Sequence, residues 1–223
     1  MSDTDLKELT TQSENLTWKF LPPGASHFAG VWERKVGSIK RILNVSLSLL
    51  NNTLLSREEF STLILEAASI VNHTPFGEVS SDPNEPFPVS PAAHLTLREN
   101  SLEVHGSYCK DDLLDYGRQR WRRVQYLADQ FWVRWRRDYL RSVDQRRKWK
   151  KQRRNLHVGD VVLIRDKCAR NLWPMGLVTE THPDRNGFVR RVTLRRSSED
   201  GKCRSVERAI TDVVLLIPCA EAP

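Results

Sequence analysis

The sequence lacks the features that place a protein in or across a membrane. No apolar run approaches the roughly 20 residues that a transmembrane helix needs. The N-terminus, MSDTDLKELT, is polar and acidic and does not resemble a signal peptide. We therefore expect an intracellular protein, nuclear or cytoplasmic, with no membrane partner.

Cysteine is also scarce, and its spacing argues against a metal site. The chain has four cysteines: Cys109, Cys168, Cys203 and Cys219. No two of them have Cys-x-x-Cys spacing, so a structural zinc site is not expected. Nor do the histidines from position 73 onward show ligand spacing. Free thiols in a reducing compartment are the expected state.

Positive charge, by contrast, is in excess and is concentrated in one part of the chain. The sequence has 35 Lys and Arg against 28 Asp and Glu, a net charge of +7, and its pI is near 9.4. Residues 118–154 alone hold 15 Lys or Arg and three Asp, a net charge of +12, so the rest sums to −5. A local excess of this kind is typical of proteins that bind a polyanion, most often nucleic acid.

The 223 residues fall into three regions that predict an α+β protein: 1–100, 101–154 and 155–218. The first reads as helices and turns. A helix is predicted from about Ser56 to Asn72, with Ser56 and Glu59 as a capping box and with Ile64 and Leu65 among its apolar positions. After a proline-rich loop, Ser90-Pro91 predicts another helix start.

The second region predicts one long helix, from about residue 111 to residue 154. Apolar side chains recur on one face every three or four positions: Val124, Leu127, Ala128, Phe131, Trp135 and Tyr139. The other faces are dense in charge. The large aromatic residues are interpreted as packing residues rather than as platforms for base stacking: Trp121, Phe131, Trp132 and Trp135.

The third region changes from helical to β periodicity. Short runs rich in β-branched residues are separated by turn residues: 156–166, 173–183, 187–197 and 208–218. This spacing predicts a small antiparallel barrel. In the third run Val189, Val192 and Leu194 alternate with arginines, so one face should pack and the other should be cationic.

Several motifs together resemble one family of retroelement proteins. HFAGVWERKVGSIKRIL, residues 27–43, is similar to the last catalytic helix of retroelement integrases, which carries H-F-G-G-x-W-E-R-x-x-x-x-x-K. Residues 16–34 and 72–95 are similar to segments of Bel/Pao-type LTR retrotransposons. The region from residue 146 to residue 197 resembles the small domain of unknown function after the integrase core, and the SH3-like C-terminal domain of retroviral integrases.

This resemblance implies the end of an RNase H-like integrase core, a basic helical linker and an SH3-like barrel. It makes Glu33 the third acid of an Asp-Asp-Glu triad, in which Mg²⁺ or Mn²⁺ activates a water or a 3′-hydroxyl for attack on a phosphodiester. Lys40 matches a family lysine that contacts DNA phosphate. The family segment that carries the second aspartate has no counterpart in this sequence, so Glu33 is expected to hold metal only if partner carboxylates are supplied.

The sequence therefore predicts an integrase-derived nucleic-acid-binding protein without catalytic activity of its own. The expected partner is DNA, bound without sequence preference. No cofactor in this chain and no small-molecule substrate are expected, and homo-oligomerisation is left open. The expected nucleic-acid contacts are basic residues of the first helix, the basic run and the third strand: Arg34, Lys40, Arg41, Arg146, Arg147, Lys148, Lys150, Lys151, Arg153, Arg154, Arg190, Arg191, Arg195 and Arg196.

Two other functions remain open at this stage. The long helix and barrel could form a protein-interaction module of a domesticated element, or the chain could be a strand-transfer enzyme completed by another chain. Because the family packs its helices on a sheet that is largely missing here, the N-terminal third is expected either to pack loosely or to rely on the long helix for cover. The barrel is expected to fold independently.

Overall fold

A computed structural model describes residues 30–50, 54–75, 90–96, 106–113, 120–144, 154–197 and 203–219. The chain divides into two units, residues 1–41 and 42–223. The described residues combine α-helices with an antiparallel sheet, which confirms the predicted α+β class. None of the described helices is both long enough and apolar enough to span a bilayer.

Four α-helices precede the sheet in the described part of the chain: α1 (Gly30–Leu47), α2 (Arg57–Asn72), α3 (Pro91–Thr96) and α4 (Arg120–Val143). A 3-10 turn, Ser48–Leu50, extends α1, and a second one, Lys110–Leu113, lies before α4.

The starts of α2 and α3 form as the sequence predicts. The backbone N–H of Glu59 donates to Ser56 Oγ at 3.2 Å, and the backbone N–H of Ser56 donates to Glu59 Oε2 at 2.7 Å. These two bonds satisfy donors that the first turn of a helix leaves unpaired. At α3 the backbone N–H of Ala93 donates to Ser90 Oγ at 3.2 Å, and Pro91 occupies the first helical position.

Helices α2 and α4 lie side by side and run in the same direction. Successive residues of α2 contact successive residues of α4: Glu59 with Arg123, Glu66 with Gln125, and Thr74 with Trp135. The apolar face predicted for α4 is buried from Val124 to Trp135. The buried positions of α2 are Leu63, Ala67 and Ile70, whereas Ile64 and Leu65 are exposed. Helix α2 is therefore covered by α4. This agrees with the expectation that the N-terminal third relies on the long helix for cover.

The long helix is shorter than the sequence predicts. Its expected span was 111–154, but α4 begins at Arg120 and ends at Val143, and residues 114–119 and 145–153 lie outside the described residues. Near the expected start, the Asp112 backbone N–H donates to the Cys109 carbonyl at 3.2 Å in a 3-10 turn, and the Asp112 carboxylate accepts the Cys109 backbone N–H at 2.7 Å. Local bonds of this kind from aspartate compete with the helical ladder. The packing role expected for Trp121 is also wrong, because 55% of it is exposed.

The sheet has five antiparallel strands: β1 (Val161–Ile164), β2 (Met175–Pro183), β3 (Val189–Ser197), β4 (Cys203–Ala209) and β5 (Val213–Ile217). Their order is β4-β3-β2-β1-β5. Four strands lie within the predicted runs, and β4 is the one that the sequence analysis missed. Its residues, CRSVERA, are mostly polar and exposed, so they lack the apolar alternation by which a strand is recognised.

The two edge strands, β4 and β5, are consecutive in the chain. A three-residue 3-10 turn, Ile210–Asp212, joins them. In a flat sheet they would lie four strand spacings apart, about 19 Å. Three residues in 3-10 conformation, at about 2 Å each, cannot cross that distance. The sheet must therefore curl until its two edges approach each other.

The arginine-bearing strand β3 is shaped by a β-bulge. Pro183 pairs with Val189 and His182 pairs with Arg191, so Arg190 is an additional residue on β3. The bulge places Val189 and Val192 on the same buried side although they are three residues apart. The predicted packed face is thus confirmed for Val189, Val192 and Leu194, whereas Arg196 follows Leu194 by two residues and lies on their side of the strand rather than on the cationic face.

The sheet encloses one apolar core, formed by Leu156, Val162, Ile164, Val178, Val189, Val192, Leu194 and Val213. Strand β1 is buried on both faces, because Val161 and Leu163 on its other side are also covered. A strand covered on both sides carries a continuous apolar run rather than an alternating one, as the sequence VVLI shows.

Candidate nucleic-acid interface

Helix α4 is fastened to the sheet by polar and aromatic contacts at the end of β1. Arg136 Nη2 donates to the Ile164 carbonyl at 2.9 Å. Arg165, the residue after β1, donates through Nη2 to Asp144 Oδ2 at 2.6 Å, just past the end of α4. The helix and the sheet therefore contact each other directly and form one basic body.

An aromatic cluster completes this junction. The Trp173 ring, which precedes β2, meets the Trp132 and Tyr139 rings edge-on, with centroids 4.9 and 5.1 Å away. Trp173 is buried, as the sequence predicts, and so are Trp132 and Trp135. The Tyr139 hydroxyl donates to the Pro75 carbonyl, and burial raises the pKa of Tyr139 to about 12.

Some arginines of the basic region are occupied inside the fold. Arg170, in the β1–β2 loop, has only 3% of its side chain exposed; it lies 3.6 Å from Glu66 and 3.5 Å from Asp129 and donates to Gln125. Burial raises the pKa of the Asp129 carboxyl, although Arg170 opposes the rise. These contacts join α2, α4 and the sheet, so the positive charge of Arg170 serves the core and is not offered to a ligand.

Arg154 was predicted to contact nucleic acid, and the structure places it on a buried carboxylate. Its two Nη atoms lie 3.3 and 3.2 Å from the oxygens of Asp160. Asp160 is fully buried and also accepts the backbone N–H groups of His157 and Cys219, each at 2.8 Å. Arg154 thus takes part in a clasp that joins the entry to the sheet with its exit.

Two arginines predicted on β3 also have acidic partners. Arg190 Nε lies 3.0 Å from Asp184, and Arg191 Nη1 lies 2.6 Å from Glu207. The pKa of Asp184 is lowered, first by the backbone N–H of Phe188 and then by Arg190. Both are surface pairs, which contribute little stability. They neutralise two of the four arginines that were predicted on β3 to contact a polyanion.

Other cations on this body have no carboxylate partner within the described part of the chain. Arg196, at the end of β3, is exposed and was predicted. Lys167, exposed in the β1–β2 loop, and Arg136 were missed. Lys167 is a single lysine beside Asp166 in RDKCAR, so the sequence gives no basic run that would single it out. Arg136 contributes to the net charge of the long helix, but nothing in the sequence distinguishes it from the other arginines there.

The Cys168 thiol lies within electrostatic reach of two of these cations, Arg136 and Arg196. It donates to the Leu172 carbonyl at 3.0 Å and is half-buried. Burial raises its pKa; the positive charges of Arg136 and Arg196 oppose that rise, and the Asp166 carboxylate adds to it. Side chains from α4 and β3 therefore lie within electrostatic reach of one thiol in the β1–β2 loop.

The residues predicted on the first helix lie exposed along α1: Glu33, Arg34, Lys40 and Arg41. Glu33 and Lys40 are seven residues apart and so lie on nearly the same helix face. Among the residues that the structure describes, no three His, Cys, Asp or Glu side chains are grouped so as to hold a metal ion. These residues therefore do not fit a two-metal site. The basic run 146–153 lies outside the described residues.

The comparison with known families agrees with the helix–sheet body. Residues 119–216 match a family of unknown function, DUF5641. The match begins at the start of α4 and ends within β5. No curated protein and no solved structure matches the chain.

Proposed function

We propose that α4 and the five-stranded sheet form a nucleic-acid-binding module that tolerates any sequence. The charge distribution carries this proposal. Residues 119–216 contain 25 Lys and Arg against 11 Asp and Glu, a net charge of +14, so the rest of the +7 chain sums to −7. Neutralising phosphates with such side chains releases counterions, which supplies most of the free energy of non-specific binding.

The proposal extends to the origin of the module. The order of motifs described above supports descent from a Bel/Pao-type retrotransposon integrase. A sheet of five short antiparallel strands that curls until its edges approach is compatible with an SH3-like barrel. The activity proposed is binding rather than strand transfer, because Glu33 has no carboxylate neighbours that would complete a metal site among the described residues.

The test is the salt dependence of binding to a fluorescent DNA duplex of mixed sequence. The logarithm of the association constant should fall linearly with the logarithm of salt between about 50 and 200 mM. Affinity that does not change over this range would rule the proposal out.

A charge-reversal variant locates the binding. Five cations of the basic run are changed to Glu: Arg146, Arg147, Lys148, Lys150 and Lys151. The matched control reverses five cations outside the DUF5641 region: Lys7, Lys19, Arg57, Arg98 and Lys110. The net charge changes equally in both, so loss of binding in the first alone supports a local interface. If both variants bind DNA as the wild type does, a protein-docking module becomes the better description.

A further inference from the structure

We infer that the end of the sheet around Cys168 is a phosphate-binding site, formed by Arg136, Lys167 and Arg196. This inference rests on the proposed function and names where the sheet meets the nucleic-acid backbone. We call these three side chains, together with Cys168, the Cys168 cluster.

Three different elements bring the cluster together. Arg136 reaches from α4 to the Ile164 carbonyl, 2.9 Å away, at the point where β1 ends. Lys167 and Cys168 follow three and four residues later in the β1–β2 loop. Arg196 is the last arginine of β3, on the strand face that Val192 and Leu194 occupy inside the core. The cluster therefore sits where the core opens to solvent.

The acidic groups nearby are already engaged. Asp166 accepts a bond from Arg208 Nη2 at 2.8 Å, and Asp144 accepts one from Arg165 at 2.6 Å. No carboxylate pairs with Arg136, Lys167 or Arg196 in the part of the chain that the structure describes. Arg154, Arg190 and Arg191 differ in this respect, since each has an aspartate or glutamate partner.

Unpaired cations held close together repel one another, and an anion between them removes that repulsion. Guanidinium groups suit phosphate because their planar N–H donors match its oxygens, and a lysine adds a mobile point charge. Lys167 and Arg196 are exposed, which leaves the cluster open to a ligand as large as a duplex.

The first experiment compares two variants that each remove two positive charges. Lys167→Gln with Arg196→Gln removes the exposed members of the cluster. Arg57→Gln with Lys110→Gln removes two exposed cations that lie outside residues 119–216. Losing two phosphate contacts should make the slope of the logarithm of the association constant against the logarithm of salt concentration shallower by about 1.8. It should also weaken duplex binding by roughly tenfold or more near physiological salt. The control variant should keep the wild-type slope.

The second experiment uses the Cys168 thiol as a reporter in the wild-type protein. Cysteine alkylation by iodoacetamide is followed by peptide mass spectrometry at alkaline pH, because burial raises the pKa of this thiol. Bound duplex should slow alkylation of Cys168 roughly tenfold if the complex is saturated, since the bound phosphate and Cys168 would occupy one place. Cys219, at the opposite end of the sheet, serves as the internal reference.

A parallel arm replaces the duplex with inorganic pyrophosphate. Protection of Cys168 by both ligands, with the loss of affinity confined to the cluster variant, supports the inference and the proposed function. Protection by pyrophosphate alone, with no duplex binding, keeps the phosphate site but overturns the proposed function. Duplex binding that depends on the basic run, with equal slopes in both double variants and no protection of Cys168, overturns the site alone. Protection by neither ligand, without duplex binding, overturns both.

Discussion

Arg123 of α4 and Glu59 of α2 form an ion pair that is almost fully buried. Their Nη1 and Oε1 atoms lie 3.5 Å apart, and 2% and 7% of the two side chains are exposed. The same Glu59 closes the capping box with Ser56. One carboxylate therefore fixes both the start of α2 and its packing against α4.

Replacing Glu59 should cost much more stability than replacing its capping partner. Glu59→Gln keeps an amide oxygen for the capping box but removes the carboxylate charge that faces the buried Arg123 guanidinium, which should cost about 3 kcal/mol. Ser56→Ala removes the cap alone and should cost about 1 kcal/mol. Urea denaturation measures both. Equal losses would mean that the ion pair contributes nothing beyond the cap.

The clasp at Asp160 should be a second point of high sensitivity. Asp160→Ala leaves the backbone N–H groups of His157 and Cys219 without their acceptor, and each such loss costs about 1–3 kcal/mol. Arg154→Gln should cost less, because this arginine is part-exposed and its partner keeps two backbone donors. The comparison is again by urea denaturation. A larger loss for Arg154→Gln would contradict the view that backbone bonds dominate the clasp.

One buried and one exposed tryptophan, Trp173 and Trp121, provide a matched pair. Trp173→Ala removes a ring that is 6% exposed and contacts Trp132 and Tyr139, so it should cost about 3–5 kcal/mol. Trp121→Ala changes a ring that is 55% exposed and should stay within about 0.5 kcal/mol of the wild type. Thermal denaturation separates the two, and a destabilised Trp121 variant would show that this ring packs after all.

Stability should fall at high pH because of Tyr139. Its folded pKa, about 12, lies above the value of about 10 expected when unfolded. The neutral phenol is therefore favoured by folding: its contribution is fully present below pH 10 or so and is lost as the pH rises towards the folded pKa. Tyr139→Phe should lose the bond to the Pro75 carbonyl but show a flatter decline of melting temperature in this range. Parallel declines in the two proteins would exclude Tyr139 as the cause.

The structural features that the sequence predicted well are those that depend only on residues close together in the chain. The capping box at Ser56 and the proline start of α3 depend on neighbouring residues only, and both formed as expected. The apolar face of α4 and the apolar positions of β3 can likewise each be recognised within one continuous stretch of sequence. Strand β4 could not be found in this way, because its place in the sheet comes from pairing with β3 rather than from its own apolar residues.

The candidate site was harder to predict because charge neutralisation is a tertiary property. The sequence shows that Arg154, Arg190 and Arg191 are basic but not that Asp160, Asp184 and Glu207 lie against them. Conversely, Arg136 donates to the Ile164 carbonyl 28 residues further along the chain, and the sequence does not show that this helix residue reaches the end of β1.

The pairing of β1 with β5 also decides when the sheet can form. Ile164 pairs with Val213, 49 residues further along the chain. Contacts between residues so distant close a long loop, and they form late because the entropy of closure is lost before the contact is gained. The three central strands can assemble as hairpins, but β1 stays open on one side until the last strand has left the ribosome. Premature termination before Val213 would therefore expose the Ile164 edge, and such a shortened chain should aggregate during synthesis.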